Sequence, residues 1–386
     1  MRQSEWNRLP LWTFAVLAVA LVALWQWATV TANYSGNWTA LFCTGSVQAQ
    51  PPLAASEHIY RFANSTGFDG QIYHYIAHDP FLRSDLKTYI DDPRLRYRRI
   101  LIPLLAYGLA WGHAGLIDRA YEVVCLLSIG LGVYWSCRYA KGAGLSAVWG
   151  LLFLLVPAIP VTVDRLVIDG GLAALTVAFL IFSRSPSWKL FAVLMCAALT
   201  RETGWLLVAA YCAHLAWRRE LRMAAVFALS AAPAAAWYGY VQLRTAGQPY
   251  GASLIPLSAI LQVLEHPWKY PPGTPFADAV RAADYLALSG MLLAFGFAFV
   301  WFARGPRDPA RIAAVLFAGM ALVLQRPDQW ENVYDFGRVY TPLLLCLAGI
   351  AARHRVPWLL APAAMMLPRI AIQLTPQVLG ILRWAG

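Results

Sequence analysis

Apolar runs recur along the whole chain, and most of the polar segments between them are short. The first run, Pro10–Val30, holds about twenty residues, the length needed to cross a hydrocarbon core. Further runs are Ala120–Cys137, Leu145–Val163, Leu166–Phe182, Leu190–Thr200, Gly204–Trp217, Ala224–Val241, Leu286–Phe302, Ile312–Leu324, Val339–Ala351 and Val356–Leu367. A soluble domain carries roughly 25% charged residues. Here 13% of 386 residues are charged and 59% are hydrophobic. That balance excludes a disordered chain and a solvated single-core enzyme. It predicts an all-α fold, a polytopic transmembrane helix bundle of about eleven crossings with a large first outer loop.

The charges sort with the runs. Arg138 and Lys141, Arg184 and Lys189, Arg218 to Arg222, Arg304 to Arg311, and Arg353 and Arg355 occupy every second connection. The positive-inside rule makes those connections cytoplasmic and turns the acidic and aromatic ones outward. The net charge of +11 is then an orientation signal, and no basic helix or zinc-finger spacing points to nucleic acid. Arg2 and Arg8 precede the first run, which reads as an uncleaved anchor; a signal peptide cut near Val30-Thr31-Ala32 is the rival reading. Ile100–Trp111 breaks the parity and fits a re-entrant or interfacial segment. The chain reads as one integral membrane domain over 1–386: first span 10–30, outer loop 31–99 with an interfacial helix, bundle 100–369, tail 370–386. Five cysteines lie in or beside apolar runs and Cys43 in a polar loop, so no disulfide framework or CxxC metal signature is expected.

Polar residues in such a chain need a reason. Asp69 to His78 reads as a short helix ended by Pro80. Asp69 lies at its start, where the helix dipole favours a carboxylate, and Tyr73 shares its face. Asp69 is either a helix cap or a catalytic base. His74 and His78 are spaced i, i+4, which suits a metal pair, with Asp79 or His58 as a third ligand. Without an HExxH-type core, interfacial histidines facing water are the preferred reading; no cofactor is required, and a divalent metal stays an unsupported alternative. Arg94, Arg96, Arg98 and Arg99 crowd before an apolar segment on the outer side, against the charge rule, and guanidinium forks suit phosphate oxygens. Asp164, Arg165 and Asp169 interrupt an uncharged stretch. Arg201-Glu202 splits a hairpin, and Asp335 and Arg338 lie one turn apart in a charged connection from Arg326 that includes Glu331. Trp268, Tyr270 and Tyr285 form an aromatic belt or stack on sugar rings.

The first span followed by Phe68-Asp69-Gly70-Gln71, the Arg98-Arg99-Ile100-Leu101-Ile102-Pro103 entry, Arg201-Glu202-Thr203 and the Asp335-to-Pro342 stretch together resemble polytopic GT-C-type glycosyltransferases, in particular the bacterial cell-surface glycopolymer formation group. The resemblance implies an integral protein of the bacterial inner membrane with an outward-facing site. It implies inverting transfer of a sugar from a polyprenyl-phosphate donor to a glycan or lipid-linked acceptor, with Asp69 as general base. Arg98, Arg99, Arg201 and Arg338 would hold the donor phosphate. Gln71, Tyr73, Asp164, Asp169, Glu202 and Asp335 would face the substrate. A transporter or flippase of a polyprenyl-linked glycan is the alternative, although it would show repeats and midplane breaks; a non-catalytic glycan-assembly subunit is another.

Overall fold

In the computed structural model the described residues, 9–246, 257–266, 270, 276–305, 307–323, 327–330 and 332–386, form 19 α-helices joined by short turns and 3-10 segments. Arg2, Arg8, Trp268, Arg326 and Glu331 lie outside them. The expectation of an all-α chain holds apart from one two-residue parallel ladder, in which Thr44 lies opposite Arg61 and Gly45 opposite Phe62.

The layout of crossings is corrected. Among the described residues three helices are long and apolar enough to cross a membrane: Leu11–Asn33, Leu221–Arg244 and Ala277–Ala303. The number reaches six if each of three bent pairs is one span, their bends being 59°, 56° and 47°. This falls well short of about eleven, and the polytopic inner-membrane placement built on that number goes with it. The physical reason lies inside the apolar runs. Leu145–Val163 is a 3-10 segment, Ala147–Leu155, broken at Val156-Pro157 before the helix Ala158–Arg165. Asp169–Phe182 and Trp188–Thr200 have 14 and 13 residues. At ~1.5 Å per residue each is about 20 Å long, short of a core of about 30 Å. Ile100–Trp111 contains a nine-residue helix, Leu101–Leu109, lying against Asp69–His78 and Ala114–Gly142.

Three apolar cores hold the helices together. The largest gathers Phe179, Leu194, Leu207, Met291, Phe317 and Leu343. A second surrounds the Asp69–His78 helix, whose Ile72, Tyr73 and Ile76 pack with Tyr97, Ala106 and Tyr121. The third joins Phe14, Ala18 and Val22, one face of Leu11–Asn33, to Ile129, Val133 and Phe153. Within the tail 370–386, the helix Thr375–Ala385 packs on Leu11–Asn33. There Gln377 donates to Asp164 at 2.9 Å, and Trp384 meets Trp27 edge to face.

Asp69–His78 is 10 residues long, below the length at which a helix stands alone in water. Its position is set by contact. Gly67 turns the chain with φ +81°, and a Cβ on Gly70 would collide with the carbonyl oxygen of Arg165 and lie 2.8 Å from that of Phe42. Backbone on both sides cannot yield as a flexible side chain would. Gly70→Ala is therefore expected to destabilise the fold by about 1–3 kcal/mol, the usual cost of overpacking. Thermal unfolding followed by circular dichroism checks this, and an unchanged midpoint would contradict the close approach.

Candidate functional site

Four arginines and four carboxylates meet at the N-terminal end of the Asp69 helix. Phe68 precedes that helix in an extended conformation, and its side chain makes no cap. Asp69 does not cap either. Its carboxylate bridges two guanidinium groups, Arg96 at 2.8 Å and Arg338 at 2.7 Å. Arg338 also reaches Asp335 at 3.1 Å and Asp169 at 3.4 Å. Asp169 in turn pairs with Arg201, whose Nε lies 3.7 Å from Glu202. Glu202 closes the network through a two-pronged contact with Arg99, 2.8 Å from Nε and 2.6 Å from a terminal nitrogen. Arg99 also donates to the Tyr73 hydroxyl at 2.8 Å.

Most members are delivered by a helix end; Arg99 lies in the stretch between the helices Pro93–Arg96 and Leu101–Leu109. Asp69 and Asp169 open helices, where the backbone dipole favours a negative charge. Arg201 follows the last turn of Trp188–Thr200 in an extended conformation and starts the 3-10 turn Glu202–Gly204. Asp335 and Arg338 lie one turn apart on Val333–Val339, which Asn332 caps by accepting from the backbone of Asp335.

The network has a floor and a rim. The Asp169 and Arg201 side chains are 2% and 4% exposed, whereas those of Asp69, Asp335 and Glu202 are 14%, 22% and 30% exposed. Burial alone would raise the proton affinity of Asp69, but Arg338, Arg96, Arg99 and Arg201 outweigh it and hold the carboxyl well below the usual range. Burial likewise opposes ionisation of Glu202, and Arg99 with Arg201 overcomes it, bringing its pKa down to about 2.

Of the residues expected at one site, the structure brings together Asp69, Tyr73, Arg99, Asp169, Arg201, Glu202, Asp335 and Arg338. Three stand apart. Gln71 faces the backbone, accepting from Gly45 at 3.1 Å and donating to Thr66 at 2.9 Å, so it holds the loop. Asp164 pairs with Arg165 at 2.8 Å and with Gln377. Arg98 lies over the Tyr238 ring at 5.3 Å, and its buried Nε has no hydrogen-bond partner among the described residues. Sequence reasoning counted Arg96 in the arginine cluster but not among the residues holding the phosphate; it also grips Asp91 at 2.9 and 2.7 Å. Nothing in the run Arg94 to Arg99 distinguishes which guanidinium will face Asp69.

A second constellation lies at the other end of the same helix. His74 and His78 meet Glu57 and Asp118, and their ligand atoms all lie within 4.8 Å of one another. The partners named from sequence are elsewhere. Asp79 accepts from the backbones of Arg83 and Ser84 at 2.9 and 2.7 Å. His58 contributes its carbonyl to Asn37. Burial would depress the His74 pKa, but Asp118 and Glu57 lift it to about 9.

Acid should loosen the charge network in a defined window. A carboxyl with a depressed pKa gives stability that is fully present above its unfolded value, ordinarily about 4.3, and is lost as pH falls through its folded value. For Glu202 that window runs from about 4.5 down to about 2. Glu202→Gln is expected to be less stable than the parent at pH 7, because it leaves the Arg99 fork without its anion. The difference should shrink as pH falls through this window. Denaturant midpoints measured for both proteins across that range check this, and a constant difference would contradict it.

The chain matches no protein-family model, no curated protein and no solved structure. With three candidate spans among the described residues, or six if each bent pair is one, neither relatives nor architecture carries the GT-C resemblance. The reading as a membrane glycosyltransferase of glycopolymer formation is corrected accordingly.

Proposed function

We propose that the Asp69 centre is an enzyme site for a substrate carrying a phosphate group, with Asp69 as the proton acceptor. The carrying observation is that Asp69 bridges Arg96 and Arg338 while Arg201 and Arg338 each keep a buried Nε–H with no hydrogen-bond partner among the described residues. A buried donor left unpaired costs about 1–3 kcal/mol. An added anion with several acceptor oxygens relieves that cost, and guanidinium forks match phosphate geometry.

The charges are already balanced, so an anion enters by competition. Its oxygens draw Arg338 and Arg96 away from Asp69. With those cations shared, Asp69 loses the attraction that keeps it ionised, and its proton affinity rises. A carboxylate clamped between two arginines is a weak base; one partly released is a stronger base for a substrate hydroxyl. Substrate binding and base activation are then one event, and Glu202 and Asp335 on the rim are placed to accept hydrogen bonds from further hydroxyls.

Titration calorimetry with inorganic phosphate and pyrophosphate at fixed ionic strength tests this. Arg338→Ala is expected to weaken binding by about ten- to a hundredfold, the worth of a charge-assisted hydrogen bond of about 1.5–3 kcal/mol. Asp69→Asn removes the competing carboxylate, so it should bind the anion at least as tightly as the parent. Arg98→Ala should change affinity by less than a few-fold, because its guanidinium lies on Tyr238. If no anion binds, or if Asp69→Asn weakens binding as much as Arg338→Ala, the network only ties segments together.

A further inference from the structure

The far end of the Asp69–His78 helix carries chemistry that the arginine network does not use. We propose that Glu57, His74, His78 and Asp118 form a four-ligand site for one divalent transition-metal ion, zinc being the cation that suits them best. Imidazole and carboxylate are both ligands of zinc, and four protein ligands leave no open position, which is the closed coordination of a structural rather than a catalytic site.

The geometry is close to what such an ion requires. Zinc binds nitrogen and oxygen at about 2.0–2.2 Å, so neighbouring ligand atoms of a tetrahedron stand about 3.3–3.5 Å apart. His74 Nε2 lies 3.5 Å from Glu57 Oε2, and His78 Nε2 lies 3.5 Å from Glu57 Oε1 and 3.5 Å from Asp118 Oδ1. Three separations between candidate ligand atoms are therefore already near tetrahedral length, the two from Glu57 running through its two different oxygens. A further separation, His74 Nε2 to Asp118 Oδ1, is a direct 2.6 Å contact. It opens by about 0.7 Å when an ion replaces the proton between the two groups.

Two further observations point inward. Glu57 Oε2 is buried and has no hydrogen-bond partner among the described residues, although it lies 3.5 Å from His74 Nε2. A carboxylate oxygen held there without a donor is an acceptor waiting for a cation. The imidazole of His74 is fixed by packing: Phe42 stacks on it with centroids 4.1 Å apart and an angle of 12°. Its Nδ1 is buried without a partner among the described residues, so the Phe42 stack does the orienting that a hydrogen bond usually does for a metal-bound histidine.

The ligands come from three parts of the chain. Glu57 follows the short helix Leu53–Ser56, the histidines share one face of Asp69–His78, and Asp118 is in the first turns of Ala114–Gly142. An ion there would bind those segments together, and its binding energy would add to folding. The inference is independent of the anion-binding reading, since no ligand is shared with the arginine network.

The test uses the full chain, freed of metal by a chelator and titrated with zinc ion alone. One equivalent should bind with a rise in the unfolding midpoint. His78→Gln and Asp118→Asn should each weaken zinc binding by at least about tenfold, since even outer-shell losses cost that much. Cobalt(II) bound to the unmodified chain gives a readout that survives if the variants fail to fold: intense visible bands of four-coordinate ligation without a thiolate charge-transfer band. Absence of stoichiometric binding, affinity unchanged in both variants, weak six-coordinate bands or a thiolate band would each overturn the proposal. The four groups would then be a histidine–carboxylate ion cluster.

Discussion

The bridge from Asp69 to Arg96 and Arg338 is the contact on which the centre of the molecule depends. It joins the first loop to a helix near the end of the chain. Through Arg338 it continues to Asp169 and Arg201, and through Glu202 to Arg99. Taking these charges from water is costly, and their mutual attraction recovers that cost only while every partner is present. Removing one member of a buried pair costs about 3–5 kcal/mol, mainly because the other charge is left uncompensated. The network is therefore a poor place for neutral substitution and a strong device for fixing one arrangement of helix ends.

The ten-residue helix that carries Asp69 is held at both ends by charge. Arginines grip its first residue, and carboxylates grip His74 and His78 in its second half. Between them Gly70 to Ala77 are all buried. A helix this short has little stability of its own, so its placement is a consequence of its neighbours. Close backbone approach at Gly70 and the stacking of Phe42 on His74 belong to the same arrangement. A ligand or ion at either end acts on a segment whose position both ends share.

Much of the centre was legible in the sequence because charged residues among apolar ones need partners. Asp69, Asp169, Arg201, Glu202, Asp335 and Arg338 stand out for that reason, and the structure joins them. Gln71 and Asp164 stood out equally and serve the backbone and Arg165, since polarity alone does not say which partner a residue will find. Arg96 and Arg98 are two positions apart in an arginine-rich run. Only the helix Pro93–Arg96 and the turn after it decide that one faces Asp69 and the other Tyr238. The histidine pair was visible from its i, i+4 spacing, but Glu57 and Asp118 are far from it in sequence and had no local signal. The crossings were misread because hydropathy does not register a bend. Val156-Pro157 cuts an apolar run that composition presents as continuous.

The account stands on Asp69 being an ion held by arginines. Carbon-detected NMR of its side-chain carboxyl, followed through acid titration of the folded chain, measures this directly. The carboxyl should show no inflection near pH 4, the ordinary aspartate value, and should stay ionised for as long as the fold persists in acid. A titration step near pH 4 in the folded protein would mean that Arg96 and Arg338 do not hold it, and would contradict the network.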